Sequence, residues 1–199
     1  MTARLGVFGG AFDPPHRAHV ALARAAVDQL QLDELRIFPT GQAWHKAQPL
    51  TPPEHRLAMA RIAFDGEPRA VIDDRELHRP GPTYTVDTLR QLKVEQPAAD
   101  LYLVMGEDQA ISFTRWREWE DILGLATLCM AARPIGGKAA GSAGRPLPFQ
   151  ARFRLLSLPP MSESATDIRQ RVAASEGIEH LVPPGVASYI ERHHLYQPA

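Results

Sequence analysis

The feature that most constrains the fold is the segment GGAFDPPHRAH, residues 9–19. A short apolar run at residues 5–8 precedes it, and the helical pattern VALARAAVDQL follows it. This order predicts a strand, a glycine turn and a helix start. Gly9 and Gly10 allow a ligand to approach the backbone, and the helix N-terminus offers unpaired N–H groups to an anion. The segment therefore predicts a phosphate site at the end of the first strand.

Two histidines lie in this segment, His16 and His19. Because they are three residues apart, a helix that begins near His16 carries both imidazoles on one face of its first turn. Both rings can then bind one phosphate. The alternative is that one histidine only caps the helix or packs against it, but the glycine turn and helix start favour phosphate binding.

Short apolar runs alternate with longer helical patterns along the chain, which indicates an α/β fold with a doubly wound parallel sheet. Thr51 and Glu54 predict a capping box at the start of the second helix. We expect strands at residues 5–8, 35–38, 70–72, 101–105, 126–131 and 153–158, and helices at about 17–31, 52–65, 85–95 and 118–123, with a last helix near the C-terminus.

Length and charge limit the classes of function. The 199 residues, 44% of them hydrophobic, suit a single domain over 1–199 with a small C-terminal helical part at about 160–199. With 22 basic and 23 acidic side chains, no general positive field attracts nucleic acid or a membrane. No signal peptide or apolar span is evident, so we expect a cytoplasmic protein. Cys129 has no disulfide partner and is expected to be buried and inert.

A second anion site is predicted near the other end of the chain, at SESATDIRQRV, residues 162–172. Ser164 is the expected N-cap of a helix, with Asp167 as its capping-box partner. Thr166 and the N–H groups of the first turn can donate to phosphate, and Arg169 adds a bidentate cation. An ordinary capped helix with a surface arginine is the alternative. Two anion sites suit a triphosphate, most naturally ATP, across the carboxyl end of a parallel sheet.

Both segments resemble the signatures of the HxGH nucleotidyltransferases, a superfamily with a Rossmann-like fold. The first has Ala18 where the superfamily usually has glycine, and the second matches an Ile-Ser-Ser-Thr-x-x-Arg pattern at Ser164, Thr166 and Arg169. The resemblance implies catalytic roles for His16, His19 and Arg169. It implies ATP binding by Gly9, Gly10, Phe12, His16, His19, Gly106, Asp108, Arg133, Ser164, Thr166 and Arg169.

Three further segments resemble the bacterial nicotinate mononucleotide adenylyltransferases: residues 39–46, 79–89 and 105–119. The resemblance covers nearly the whole chain and implies transfer of AMP from ATP to nicotinate mononucleotide in NAD biosynthesis. The helix start in the second segment would receive the nicotinate carboxylate, and the tryptophan of the third would stack on the pyridine ring. The implied residues for the mononucleotide are His45, Lys46, Tyr84, Thr85 and Trp116.

Several alternatives stay open at this point. Lys46 can be a solvated surface residue, Thr83 or Thr85 a plain N-cap, and Trp116 a core anchor, which is the preferred role for Trp119. The acceptor can be nicotinamide mononucleotide or phosphopantetheine, and a regulatory nucleotide-binding module without catalysis is a further candidate. No structural-metal spacing is present, so Mg²⁺ is expected to arrive with ATP. A homodimer is one option for the oligomeric state.

Overall fold

The computed structural model describes residues 2–42, 50–132, 134–135, 138–139 and 152–198. Within these residues, six strands form one sheet, and a short antiparallel pair lies apart from it. The sheet strands are β1 (Arg4–Gly10), β2 (Glu34–Pro39), β3 (Ala70–Ile72), β4 (Asp100–Met105), β5 (Ala126–Ala132) and β8 (Phe153–Ser157), and the separate pair is β6 (Pro134–Ile135) with β7 (Lys138–Ala139).

The helices fill the connections between these strands and the C-terminal part of the chain. Two single 3-10 turns accompany them, at Arg75–His78 and Phe113–Arg115. The α-helices are α1 (Arg17–Leu30), α2 (Pro53–Ala63), α3 (Thr85–Glu95), α4 (Glu107–Ile111), α5 (Trp119–Leu125), α6 (Ala165–Ala173) and α7 (Pro184–Arg192).

The sheet has the strand order β3-β2-β1-β4-β5-β8, and every neighbouring pair is parallel. The order therefore reverses between β1 and β4, which is the topological switch point of a doubly wound sheet. The Rossmann-like α/β fold and the six predicted strands are confirmed. Because all six strands are parallel, their carboxyl ends lie at one edge of the sheet, where ligands bind in such folds.

Each face of the sheet is covered by its own set of helices. Phe8 packs with Leu22 of α1, Ile168 of α6 and Val186 of α7 on one face. Val7, its neighbour in β1, packs on the other face with apolar residues of α3 and α5. Successive side chains of a strand point to opposite faces, which explains the division. The C-terminal helices thus share a core with α1, so both predicted anion sites lie on the same side of the sheet.

The local structure corrects two capping predictions. Pro52 is the N-cap of α2 and provides no side-chain hydrogen bond, so the Thr51–Glu54 capping box is wrong. Instead, the backbone N–H of Thr51 donates to Asp13. Ser164 is confirmed as the N-cap of α6, since its hydroxyl accepts from the backbone N–H of Asp167 at 3.1 Å. The Asp167 carboxylate, however, pairs with Arg171 at 2.9 Å and does not complete a box.

Two other expectations concern burial and length. Cys129 is buried as expected, and burial raises the pKa of its thiol to about 12, so it stays protonated and unreactive at neutral pH. None of the helices in the described ranges is long and apolar enough to cross a membrane.

Leu35 tests the packing of the central sheet, because its side chain in β2 is fully buried. We expect Leu35→Ala to lower the free energy of unfolding by about 2–5 kcal/mol, since truncation leaves a cavity. Leu155→Ala in β8 is the control, because Leu155 is 45% exposed and should cost less than about 1 kcal/mol. Urea unfolding followed by circular dichroism measures both, and equal losses would contradict the assigned core.

Candidate active site at the carboxyl edge of the sheet

A cleft of about 510 Å³ lies at the carboxyl edge of the sheet. Residues of both predicted anion sites line it, and so do residues of the acceptor segments 79–89 and 105–119. His45, Lys46 and Arg133 lie outside the described residues. Every other predicted site residue lines the cleft: Gly9, Gly10, Phe12, His16, His19, Tyr84, Thr85, Gly106, Asp108, Trp116, Ser164, Thr166 and Arg169.

Gly9 and Gly10 are the last two residues of β1, so the predicted glycine turn is wrong, and the two residues have different roles. A Cβ at Gly9 would meet nothing within 4 Å, so Gly9 leaves its backbone open to the cleft. A Cβ at Gly10 would lie 2.9 Å from the ring of Phe12, which is only 1% exposed. The Phe12 ring in turn contacts the His19 ring edge-on, with centroids 5.1 Å apart. Gly10 therefore makes room for Phe12, and Phe12 supports His19 from the core side.

His16 and His19 lie side by side, as predicted, with ring centroids 3.8 Å apart. His16 is the N-cap of α1, and its backbone N–H donates to Nδ1 of His19 at 3.2 Å. Because Nδ1 accepts this bond, a neutral His19 carries its proton on Nε2. This nitrogen is the one that can donate to an anion.

The His16 ring is buried and uncharged. Burial lowers the pKa of His16 to about 4, so the ring is neutral at pH 7. Its Nδ1 atom is buried and has no hydrogen-bond partner among the described residues. A buried polar atom without a partner is costly. In the tautomer with its proton on Nδ1, the ring can donate to a phosphate oxygen in the cleft.

The two anion sites are joined directly. Arg169, one turn into α6, donates from Nη1 to the backbone carbonyl of Asp13 at 2.7 Å. Its Nη2 donates to the hydroxyl of Thr166 at 3.3 Å. These bonds fix the guanidinium group beside the loop that leads to His16. The segments are 156 residues apart in sequence but form one continuous lining.

The two acceptor segments meet on the opposite wall. Tyr84 is the N-cap of α3 without a side-chain cap bond, so simple capping by Thr83 or Thr85 is not observed. The Arg117 guanidinium group lies 4.6 Å from the centroid of the Tyr84 ring. Trp116 is half-buried, packs against the core and also faces the cleft. The hydroxyl oxygen of Thr83 is buried and has no hydrogen-bond partner among the described residues.

A buried carboxyl group on this wall was missed by the sequence analysis. Glu76 lines the cleft but is only 5% exposed. The hydroxyl of Thr88 donates to it at 2.6 Å and that of Thr40 at 3.5 Å. Burial raises the pKa of Glu76 to about 7. A Cβ at Gly41 would overlap the carbonyl oxygen of Glu76, so these loops pack without space between them. In sequence, the RELH turn gave no signal of burial.

The described residues contain no group of three His, Cys, Asp or Glu side chains that could hold a metal ion. Asp108, an exposed carboxylate in the first turn of α4, lines the cleft.

Comparison with known proteins gives a consistent result. The cytidylyltransferase-like family model matches residues 7–171. A protein of Albidiferax ferrireducens named "Probable nicotinate-nucleotide adenylyltransferase" is 52% identical over 98% of this chain and 99% of its own length. A protein of the same name from Methylibium petroleiphilum is 41% identical over 98% and 93%. The solved Plasmodium falciparum nicotinic acid mononucleotide adenylyltransferase complexed with NaAD shares the fold, with a TM-score of 0.80 at 20% identity, over 98% of this chain and 97% of that chain.

Glu76 predicts a pH-dependent stability. Its pKa is about 7 in the folded chain and about 4.5 in an ordinary carboxyl group, so ionisation costs folding free energy as pH rises between these values. Glu76→Gln cannot ionise. We expect the stability of Glu76→Gln relative to wild type to increase by roughly 1–3 kcal/mol between pH 5 and pH 8.

Urea unfolding at the two pH values measures this difference. Glu120→Gln, a change of an exposed side chain on α5, is the matched control and should show no such trend. A flat profile for Glu76→Gln would contradict the buried, protonatable carboxyl group.

Proposed function

We propose a function for this chain from one premise: it belongs to the cytidylyltransferase-like family and, within it, to the nicotinate-nucleotide adenylyltransferases. It transfers the AMP part of ATP to nicotinate mononucleotide, which yields nicotinate adenine dinucleotide and pyrophosphate in NAD biosynthesis. The observation that carries this proposal is the bond from Arg169 to the Asp13 carbonyl, because it joins two anion-binding helix starts into the lining of one cleft.

ATP spans the two joined sites. We assign the α- and β-phosphate region to His16 and His19, where the neutral His16 ring, the Nε2 proton of His19 and the start of α1 provide donors. The β- and γ-phosphates bind at Ser164, Thr166 and Arg169. Gly9 and Gly10 let the nucleotide approach the end of β1. Phe12 acts through its packing against His19, and Gly106, Asp108 and Arg133 are assigned to the nucleoside side of ATP.

Nicotinate mononucleotide occupies the opposite wall. The nicotinate carboxylate lies at the N-terminus of α3, where Tyr84 and Thr85 present backbone N–H groups. Trp116 stacks on the pyridine ring, an interaction worth about 1 kcal/mol or somewhat more. His45 and Lys46 are assigned to the phosphate of the mononucleotide, on the resemblance of their loop alone.

The reaction needs no strong general base. A phosphate monoester has a second pKa of about 6, so the acceptor is already mostly dianionic at neutral pH. One of its oxygens attacks the α-phosphorus in line, the bond from that phosphorus to the bridging oxygen breaks, and pyrophosphate leaves. The residues of the cleft accelerate this step by positioning the two phosphates and by donating hydrogen bonds to the charged oxygens.

Four expectations remain predictions. Mg²⁺ is expected to be held by the ATP phosphates and water, with Asp108 as the nearby carboxylate, and it would neutralise phosphate charge. The substrates favour a cytoplasmic location. The shared core of α1 and α7 supports a single domain over 1–199, with the helical part at about 160–199. A homodimer also remains a prediction for the oligomeric state.

Pyrophosphate release from magnesium ATP tests the proposal, with three acceptors offered separately. Nicotinate mononucleotide should give the fastest release. Faster release with nicotinamide mononucleotide or phosphopantetheine would keep the phosphate sites but overturn the assignment of Thr85 and Trp116. Binding of ATP without release for any acceptor would favour a regulatory nucleotide-binding module.

His19→Ala tests the phosphate site itself. The change removes a hydrogen-bond donor to the phosphates, so turnover should fall at least about a hundredfold while the fold is kept. His78→Ala is the matched control, because the side chain of His78 is 73% exposed, and it should retain turnover within about twofold. Circular dichroism confirms folding of both variants. Near-normal turnover of His19→Ala would remove this residue from the mechanism.

A further inference from the structure

The C-terminal tail contacts the loop that leads to His16. Tyr196, four residues after the end of α7, donates from its hydroxyl to one carboxylate oxygen of Asp13 at 2.7 Å. The other oxygen of Asp13 accepts the backbone N–H of Thr51 at 3.1 Å. Asp13 is only 4% exposed. Its carboxylate is therefore held from two sides by distant parts of the chain.

A buried arginine completes this network. Arg56 of α2 is 2% exposed, and its guanidinium group donates to backbone carbonyls of Ala11 at 3.0 Å, Thr40 at 2.7 Å and Thr51 at 2.9 Å. Burial lowers the pKa of Arg56, and the nearby Asp13 charge acts in the opposite direction. Arg56 and Asp13 thus fix the loops after β1 and β2, both of which line the cleft.

Asp13 also faces the second anion site. Its backbone carbonyl accepts the bond from Arg169 at 2.7 Å, while its side chain binds Tyr196 and Thr51. His16 follows only three residues later. A rotation of the Asp13 backbone would therefore move the histidines and Arg169 relative to each other.

We infer that Tyr196 is a positioning residue for AMP transfer: through Asp13, its hydroxyl sets the spacing between the His16–His19 pair and Arg169. The inference rests on the proposed function. Tyr196 is not among the residues that line the cleft, so any effect on the substrates passes through Asp13. The ATP phosphates bind directly between these groups, whereas the pyridine-ring site at Tyr84, Thr85 and Trp116 lies on the other wall.

A purely structural role for Tyr196 makes a different prediction. Its ring packs against the core, and its hydroxyl lies 4.0 Å from the sulfur of Met59. Tyr196→Phe keeps the ring and removes only the hydroxyl. If the hydroxyl only stabilised the fold, the variant would lose thermal stability and keep its kinetic constants at temperatures where it is folded. Displaced catalytic groups instead lower turnover in the folded protein.

Tyr189→Phe provides a matched control. Tyr189 lies in α7, and its hydroxyl bonds to Nδ1 of His55 at 3.0 Å, away from the residues that line the cleft. Both changes remove one hydroxyl group from a partly buried tyrosine near the C-terminus. Only one of the two hydroxyl groups contacts Asp13.

The experiment measures pyrophosphate release by wild type, Tyr196→Phe and Tyr189→Phe at saturating and limiting concentrations of each substrate. For Tyr196→Phe, we expect kcat/KM for magnesium ATP to fall about tenfold, with KM for nicotinate mononucleotide within about twofold of wild type. Tyr189→Phe should match wild type within about twofold. Unchanged kcat/KM for ATP in Tyr196→Phe, or equal losses in both variants, would overturn the inference.

A second measurement separates this inference from the proposed function. Equilibrium binding of magnesium ATP needs no reaction, and it should be severalfold weaker for Tyr196→Phe than for Tyr189→Phe. If wild type releases no pyrophosphate with nicotinate mononucleotide, the proposed function fails, and the comparison of ATP binding still decides whether Tyr196 sets the phosphate site. Equal ATP affinities of Tyr196→Phe and Tyr189→Phe would reject the positioning role of Tyr196.

The double variant Asp13→Asn with Tyr196→Phe tests whether the two residues act through one contact. If they do, the combined loss in kcat/KM for ATP should be no larger than about that of Asp13→Asn alone. If the loss in kcat/KM of the double variant equals the product of the two single losses, Tyr196 acts independently of Asp13. That result would contradict an effect of Tyr196 through Asp13.

Discussion

The parallel pairing of β1 with β2 on one side and with β4 on the other determines where this protein can bind a nucleotide. The strand order reverses at this point, so the loops after β1 and β4 leave toward opposite faces and open a crevice between them. The two glycines that end β1 and the start of α1 lie on one side of this crevice. The segment that begins at Gly106 lies on the other.

The charges that line the crevice are not those of a simple basic pocket. Among the lining residues that the structure describes, the carboxylates of Asp13, Glu107, Asp108 and Glu163 outnumber the guanidinium groups of Arg117 and Arg169. The described part of the lining therefore supplies no net positive field that would explain the binding of anions. Donors with fixed positions must do so: the N-termini of α1, α3 and α6, the neutral His16 ring and the Nε2 proton of His19. This requires that the backbone around them be held firmly.

Local patterns in the sequence were sufficient to predict the parallel sheet and to select residues that lie together in one cleft. The end of β1, the start of α1 and the start of α6 carry local motifs, so Gly9, His16, His19 and Arg169, which line the cleft, could be selected from sequence. The hydrogen bonds that link Asp13 to Thr51 and Tyr196 could not be predicted, because a contact between residues 183 positions apart leaves no periodic signal. Glu76 was missed for the same reason, since its burial depends on Thr40 and Thr88. Thr51 was assigned a capping role from its spacing to Glu54. Its backbone contact with Asp13 has no local signature in the sequence.

We propose that the histidines bind and donate to phosphate and that the acceptor attacks ATP directly. The stereochemistry at the α-phosphorus tests this claim, with ATP that carries sulfur in one defined position on that phosphorus and with nicotinate mononucleotide as acceptor. A single in-line displacement predicts a dinucleotide with inverted configuration. Retention would show two successive displacements through a covalent adenylyl-enzyme, with a side chain such as His16 or His19 as nucleophile, and would contradict the account.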